Sequence, residues 1–515
     1  MKALYLWILS LVLSFSMLAQ SDFSPENFCA NQQGRSKWLK QYQAHPEHFS
    51  KGGDTTIYVA MTVHLLGTDS GTGYYSEKNL LDAFCLLNES YEPAGIQFFL
   101  AGDILYHNNS AYYQHSSVLE GGQMMFEYNV PNTLNTYFVS DPAGNCGYNL
   151  PYAGIANAIS CSGPNDITWS HEVGHGLSLP HPFLGWEGGV SWDGSVDHNF
   201  SDPAPAQVTY DYTYFQDTLI LDTMIIDTTF VELVDGSNCT IAADGFCDTP
   251  PDYLASRWNC NGNGVSGTVQ HDPADVAFQS DGSLIMNYAN DACQNRFSEE
   301  QQSAMRAFLY DQRSQWISAD PALAPVEQTA TLISPIGGEI QQNFAAELTW
   351  SAVPNATQYL VQVSRLSSFP SALTDNYLTS GNSLIVDELS EDRTYFWRVR
   401  AFNNYHTCSE FTATENFELT FPVATTEINE MTEWRVYPQP VDGQQYLQVS
   451  WQMKAAWNGT LSFHNALGQT LWTQSLSLNS GQNNNQIELN NAPAGLYYLR
   501  LQSGSQQQVM RVMVE

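Results

Sequence analysis

Residues His171 to His181 read HEVGHGLSLPH, and this stretch decides how the rest of the chain is read. His171 and His175 stand four residues apart, about one helical turn, so both imidazoles project from one face. Glu172 lies beside them, offset toward the place of a water on an ion held by the pair. Neutral imidazole is a good Zn2+ ligand. A third histidine, His181, follows ten residues after the first. Gly176 and Pro180 can end the helix and turn the chain back toward the ion. Three protein ligands leave one coordination position open, as hydrolytic chemistry requires. The predicted helix covers Thr168 to Leu179. The other histidines (His45, His48, His64, His107, His115, His198, His271, His406 and His464) have no such spacing and read as ordinary surface or core residues.

Outward from this helix, strands and helices mix. Ile57 to Leu66 (IYVAMTVHLL) reads as a buried strand. Ser76 can cap a helix with Leu80, Leu81, Phe84, Cys85 and Leu87 on one stripe. Ile96 to Leu100, Leu134 to Val139 and Gly154 to Ser160 predict further strands. Ser298 to Phe308 predicts a helix, with Ser298 as cap and Gln301 three residues on. The class expected for residues 56–318 is therefore α/β or α+β. Gly185 to Asp235 is long and acidic, and Gln207 to Leu233 partly alternates, as in an inserted hairpin that borders the site.

Ala319 to Gln328 contains Pro321 and Pro325 without apolar periodicity, which predicts a linker over 319–329. Residues 330–422 and 427–515 then show short strands with turn signals. The expected architecture is multidomain: one α/β (α+β) domain followed by two all-β sandwich domains.

The N-terminus sets the compartment. Lys2, the apolar run Leu4 to Leu13 and the small Ala19 read as a secretory signal over 1–20. The run is too short to span a membrane comfortably, and no other stretch approaches the length a membrane helix needs, so no transmembrane segment is expected in the mature chain. Ser21 to Asp54 is polar with weak periodicity and reads as a pro-segment, 21–55. Across 515 residues, 18 Lys+Arg stand against 53 Asp+Glu, a net charge of −35. Such a surface repels phosphate polymers, which excludes nucleic acid as a partner class. An apolar content of 43% excludes a largely disordered chain. Export places the nine cysteines in an oxidising setting, and an odd number leaves at least one outside any internal pairing.

HEVGHGLSLPH is similar to the zinc signature of the metzincin metallopeptidases, HExxHxxGxxH followed by a Met-turn. Downstream, SLIMNYANDAC carries Met286 and Tyr288. The stretches LVDGSNC (Leu233 to Cys239), DGFCDTPPD (Asp244 to Asp252) and MNYANDACQNRFSEEQ resemble the pappalysin/cytophagalysin family. The resemblance covers about residues 55 to 315. It implies that His171, His175 and His181 hold one catalytic Zn2+ over a hydrophobic floor, Met286. It further implies that Glu172 takes a proton from the zinc-bound water and passes it to the leaving amine, while the Tyr288 hydroxyl stabilises the tetrahedral transition state. The implied activity is that of a secreted zinc endopeptidase acting on proteins or peptides. One residue departs from the signature: Ser178 stands where Gly is usual, and a left-handed turn there costs about 1 kcal/mol or more. Gly176, two residues earlier, could instead shift the helix break. The competing reading is a surface adhesin or binding protein on a degenerate peptidase domain. Glu172 speaks against it, because binding needs no general base.

The same resemblance implies crossed disulfides, Cys239–Cys260 and Cys247–Cys293, although four cysteines alone allow three connectivities. Cys146 and Cys161 can pair, and Cys408 reads as a lone buried thiol of the sandwich. Relatives suggest that Cys29 places a thiolate on the zinc as a zymogen switch; a disulfide to Cys85 or an idle thiol is the other reading. Asp244, Asp248 and Thr249 offer oxygen ligands for Ca2+, with a solvated acidic loop as the alternative.

In the C-terminal part, Trp350 in ELTW, Tyr359 in ATQYLVQV and the pair Leu389 and Tyr395 in LSEDRTYFWRV resemble a fibronectin type III domain. VYPQPV (Val436 to Val441), NALGQTLW (Asn465 to Trp472) and APAGLYYLRL (Ala492 to Leu501) resemble, in order and spacing, the C-terminal sorting domain of type IX secretion. Gln439 stands where Asn is usual. This resemblance implies the type IX machinery as a partner and an extracellular or outer-surface location.

Overall fold

A computed structural model describes residues 27–29, 34–151, 153–187, 198–211, 226–341, 345–387, 389, 393–420, 428–442, 446–489, 492–504 and 506–515. The signal expected over 1–20 lies outside them. The chain forms two compact units, Met1–Ala322 and Leu323–Glu515.

The first unit is built on a seven-stranded sheet. Its strands are β1 (Asn27–Cys29), β2 (Ile57–Gly67), β3 (Ile96–Leu100), β4 (Leu105–Asn108), β5 (Leu134–Val139), β6 (Asn145–Leu150) and β7 (Gly154–Ala158). The order is β1-β6-β7-β5-β2-β3, with β4 also on β2. All neighbours are parallel except β6, which runs antiparallel to β7. Helices pack on both faces, and β5 shows why. Its side chains alternate: Tyr137 and Val139 join a core with Val118, Met124 and Met125 of helix α3 (Val118–Tyr128), while Phe138 turns to Trp169 of helix α4 (Thr168–Gly176). Helix α2 (Glu77–Tyr91) buries Leu80, Leu81, Phe84 and Leu87 of the expected stripe and leaves Cys85 half-buried, and Phe84 packs on Trp169 at 5.6 Å.

Several elements were not expected, β6 and α3 among them. Strand β6 (NCGYNL) lacks the β-branched residues that mark a strand. Helix α3 carries Gly121 and Gly122, which weaken its helical signal. Helix α5 (Glu299–Gln312) has the expected capping box of Ser298 and Gln301. The inserted hairpin is present as β8 (Gln207–Asp211) paired antiparallel with β9 (Ile226–Phe230); the residues between them lie outside the described ones.

The stretch read as a weakly periodic pro-segment contains helix α1 (Lys37–Ala44), which buries Trp38, Leu39 and Tyr42. Ser36 caps it through Leu39 N–H. Its anchors reach far along the chain: Arg35 donates to the carbonyls of Thr240 and Ile241, and Trp38 Nε1 donates to Asp311 at 2.8 Å.

The second unit begins inside the expected linker. Val326 and Ala330 lie in a sandwich core with Trp350, Tyr359, Tyr395 and Trp397. The Ala324 and Pro325 carbonyls accept bonds from Asn403 and Asn355, so the second half of that stretch belongs to the sandwich. Sheets of three and five strands form this module. The C-terminal module has sheets of three and four strands around Trp451, Leu461, Phe463 and Leu499. Cys408 is disulfide-bonded, correcting its reading as a lone thiol. Among the described residues, no helix is long and apolar enough to cross a membrane.

Candidate metal centre

Helix α4 is fixed before its histidines are placed. Trp169 is buried between Phe84 and Phe138. Ser170 is held from α2, its carbonyl accepting from Tyr91 OH at 2.9 Å and its hydroxyl donating to Ser90. The next residues are therefore aimed by a rigid support.

His171, His175 and His181 converge. Their Nε2 atoms lie 3.1, 3.1 and 3.2 Å apart, and the three residues are at most 7% exposed. Each Nδ1 has its own acceptor: the Ile285 carbonyl for His171 (2.7 Å), the Leu179 carbonyl for His175 (2.7 Å) and the Glu187 carboxylate for His181 (3.1 Å). With the ring proton on Nδ1, every Nε2 presents a lone pair. Three lone pairs facing one another cannot satisfy each other by hydrogen bonding, whereas a cation between them can. Donors about 2.0–2.1 Å from a tetrahedral Zn2+ are about 3.3–3.4 Å apart, so the observed spacing fits such an ion. Burial pushes the imidazoles of His171 and His175 well below their ordinary pKa and that of His181 down to about 3. All three are therefore neutral near pH 7, the state a metal needs. Burial pushes Glu187 up to about 8, and a cation on the far side of His181 opposes that shift.

Glu172 is fully buried beside them. Strand β6 makes room for it at Gly147, where an added Cβ would stand 2.8 Å from Glu172 Cγ. Gly174 does the same beneath the histidines: a Cβ there would stand 2.4 Å from Met286 Sδ. Met286 Sδ thus packs against α4 at Gly174, and the preceding carbonyl of Ile285 orients His171. Gln294 Nε2 donates to the carbonyls of both Ile285 and Asn287, fixing the turn around Met286. The Tyr288 ring is 4.9 Å from that of His181 and 4.6 Å from that of Phe183. Val208 of β8 and Val231 belong to the same apolar cluster as Tyr288 and Phe183, so the insertion does border the site. Glu187, Gly147, Gly174 and Gln294 were missed at the level of sequence. For Glu187 the available signal was a carboxylate a short loop beyond a metal-spaced histidine.

The departure at Ser178 is resolved. Gly176 stays helical, and Ser178 itself adopts φ +74°. Ser178 N–H bonds to the His175 carbonyl and Leu179 N–H to that of Gly174, the Schellman pattern whose left-handed residue is commonly Gly. Ser178 Oγ is 2.9 Å from Ser36 Oγ, which ties the turn to the start of α1. Ser178→Val, β-branched at positive φ, is expected to lose about 2 kcal/mol. Ser178→Gly is expected to stay within about 1 kcal/mol of the parent. Equal midpoints for the two variants in chemical denaturation would refute the strain argument.

The disulfides correct the crossed pairing. Cys239 pairs with Cys247 and Cys260 with Cys293, while Cys146–Cys161 is as expected. The segment from Gly236 to Cys247 folds as its own tight turn, with Asn238 Oδ1 accepting from Leu233 N–H, and this brings Cys239 and Cys247 to a Cα separation of 5.0 Å. Gly282 lets Cys260 and Cys293 meet: a Cβ added there would lie 3.1 and 3.3 Å from their Cβ atoms. The calcium reading finds no support. Asp244 accepts from Thr249 Oγ1 at 3.0 Å, but Asp248 turns to the N–H of Glu300 at 2.8 Å. Among the described residues, the groups of three or more His, Cys, Asp or Glu able to share an ion are His171/His175/His181 and His45/Glu47/His48.

A buried three-imidazole cluster with a glutamate alongside is a site that can hold a metal ion. Comparison with known proteins adds the compartment and the neighbours. Residues 435–515 match the secretion system C-terminal sorting domain, and the chain is a secreted or cell-surface protein. An extracellular metalloprotease of Pyricularia oryzae is 27% identical over 175 residues, covering 30% of this chain and 57% of the relative. The chain thus spans little more than half the length of that relative. Among solved structures, a Tannerella forsythia promirolysin variant aligns at TM-score 0.36 and 17% identity, over 56% of this chain and 97% of the other. The chicken CNTN1 FN1-FN3 domains align at TM-score 0.17 and 14% identity, over 37% and 69%.

Proposed function

We propose that the chain is a secreted zinc endopeptidase hydrolysing peptide bonds in extracellular proteins. The observation that carries this reading is the convergence of three buried Nε2 atoms within 3.2 Å, beside the Glu172 carboxylate. His171, His175 and His181 would hold the zinc, and their Nδ1 bonds keep the rings turned toward it. Bound zinc supplies Lewis acidity, which brings a water's pKa toward 7 and draws charge from a carbonyl oxygen. Glu172 accepts the proton of the attacking water and hands it to the leaving amine. Tyr288 donates from its hydroxyl to the carbonyl oxygen as charge builds there. Met286 would support α4 from beneath, at Gly174, and does no chemistry. Strand β6, which becomes the sheet edge once β1 is removed, would then offer backbone groups to an extended substrate. The sorting domain at 435–515 is the element the type IX secretion machinery would recognise.

The test is a peptide library digested by the purified, processed protein and read by mass spectrometry. Cleavage that stops with a chelator and returns with zinc is the expected result. A protein that binds zinc and cleaves nothing favours the binding-protein reading.

Residues 21–55 fit a pro-segment at its N-terminal end. Strand β1 lies on β6 with Cys29 opposite Gly147, the residue that touches Glu172. This is the edge a substrate would use, which supports Cys29 as a latch whose thiolate would serve as a ligand of the zinc. Cys29→Ala in the unprocessed chain is expected to raise its hydrolysis at least tenfold over the unprocessed parent. Equal rates would remove the latch.

A further inference from the structure

We infer that His45, Glu47 and His48 form a second, surface metal site for a first-row divalent ion such as Zn2+. Such a site is independent of the peptidase reading.

Local backbone creates the cluster. His45 ends α1, and Pro46 opens a 3-10 turn over Pro46–His48 with its φ already fixed. His48 N–H bonds to the His45 carbonyl and Phe49 N–H to that of Pro46. In a 3-10 turn, side chains three residues apart eclipse one another. The His45 and His48 rings accordingly stack, centroids 5.1 Å apart and planes 21° apart. One oxygen of Glu47 stands between them, 3.5 Å from His45 Nδ1 and 3.6 Å from His48 Nε2. All three ligand atoms lie within 4.8 Å of one another.

These lengths are long for hydrogen bonds but close to the donor–donor edge of about 3.3–3.4 Å around tetrahedral zinc. The buried cluster, at 3.1–3.2 Å, has nearly the same edge. Two edges of the surface site are thus in place, and the third is no longer than 4.8 Å. The turn is also held: the Phe49 ring is 5.7 Å from that of Trp38 and 5.5 Å from that of Tyr42, both buried. Binding therefore has little backbone to order. Two imidazoles and a carboxylate select zinc, nickel or copper over calcium, which prefers oxygen donors. Lys51, over the Tyr42 ring at 5.7 Å, is a neighbouring cation, set against a chain of net charge −35. An exposed ion pair of Glu47 with protonated histidine is the competing account, and it calls for no metal.

Equilibrium dialysis of the full chain against zinc separates the two. The intact chain is expected to take up one exchangeable equivalent that His45→Ala/His48→Ala loses, with hydrolysis unchanged. Glu47→Gln is expected to weaken that equivalent at least tenfold. Cobalt in place of zinc should give a visible band that the double variant loses and His181→Ala keeps. The three side chains are exposed, so the variants should fold, and circular dichroism checks this. Identical zinc uptake by the parent and the double variant overturns the site. Loss of uptake only in His181→Ala does the same, while leaving the buried centre intact as an idea.

Discussion

Glu172→Gln is expected to lower kcat/KM by about 10²–10⁴, the usual worth of a positioned general base. The metal content should stay at the parental level, because the three histidines and their Nδ1 partners are untouched. The amide is nearly isosteric with the carboxylate, so Gly147 still accommodates it and the fold should hold. This combination separates a catalytic role from a ligand's role. A ligand's loss would empty the site, whereas a base's loss leaves a loaded but slow enzyme. Metal analysis and peptide hydrolysis on the same sample read both. More than a tenth of parental activity at full metal content would remove Glu172 from the chemistry, and with it the strongest argument against the adhesin reading.

What could be read from sequence follows the range of the forces involved. The metal spacing is local: His171, Glu172 and His175 share one helical turn, and His181 returns through a short loop. Periodicity exposed β2, α2, β3, β5 and α5, because each buries one recurrent face. Strand β6 escaped because its residues serve its neighbours. Gly147 is small for Glu172, Asn145 donates to the Pro142 and Ala143 carbonyls, and Asn149 donates to Gly154. None of these leaves a strand pattern. Cysteine pairing was unreadable for a different reason: the tight turn that joins Cys239 to Cys247 is made by side-chain bonds such as Asn238 to Leu233, which spacing does not encode. Glu187 carries no periodic mark either; the sequence offers only a carboxylate a short loop beyond His181, and its bond to His181 gives it a role.

Helix α1 is the place where the sequence misleads most, and Trp38→Ala tests it. Trp38 is 8% exposed, stacked on Tyr42 at 5.4 Å and edge-on to Phe308 of α5 at 5.0 Å. Its indole N–H is bonded to Asp311. Truncation to Ala is expected to cost about 3–5 kcal/mol, since the aromatic contacts vanish and a cavity opens between α1 and α5. The carboxylate of Asp311 also loses a donor. The effect should reach the metal centre through Ser36, whose hydroxyl links α1 to the left-handed turn before His181. Denaturation of the unprocessed chain, following the transition of the first unit, reads the stability. A loss below about 1 kcal/mol would mean that α1 merely rests on the surface. N-terminal sequencing of the processed protein then decides the role of the helix. If the mature chain still begins before Lys37, α1 is a permanent clasp and processing removes only the segment around β1. If it begins after Asp54, the same contacts serve the precursor alone, and the mature unit must be stable without them.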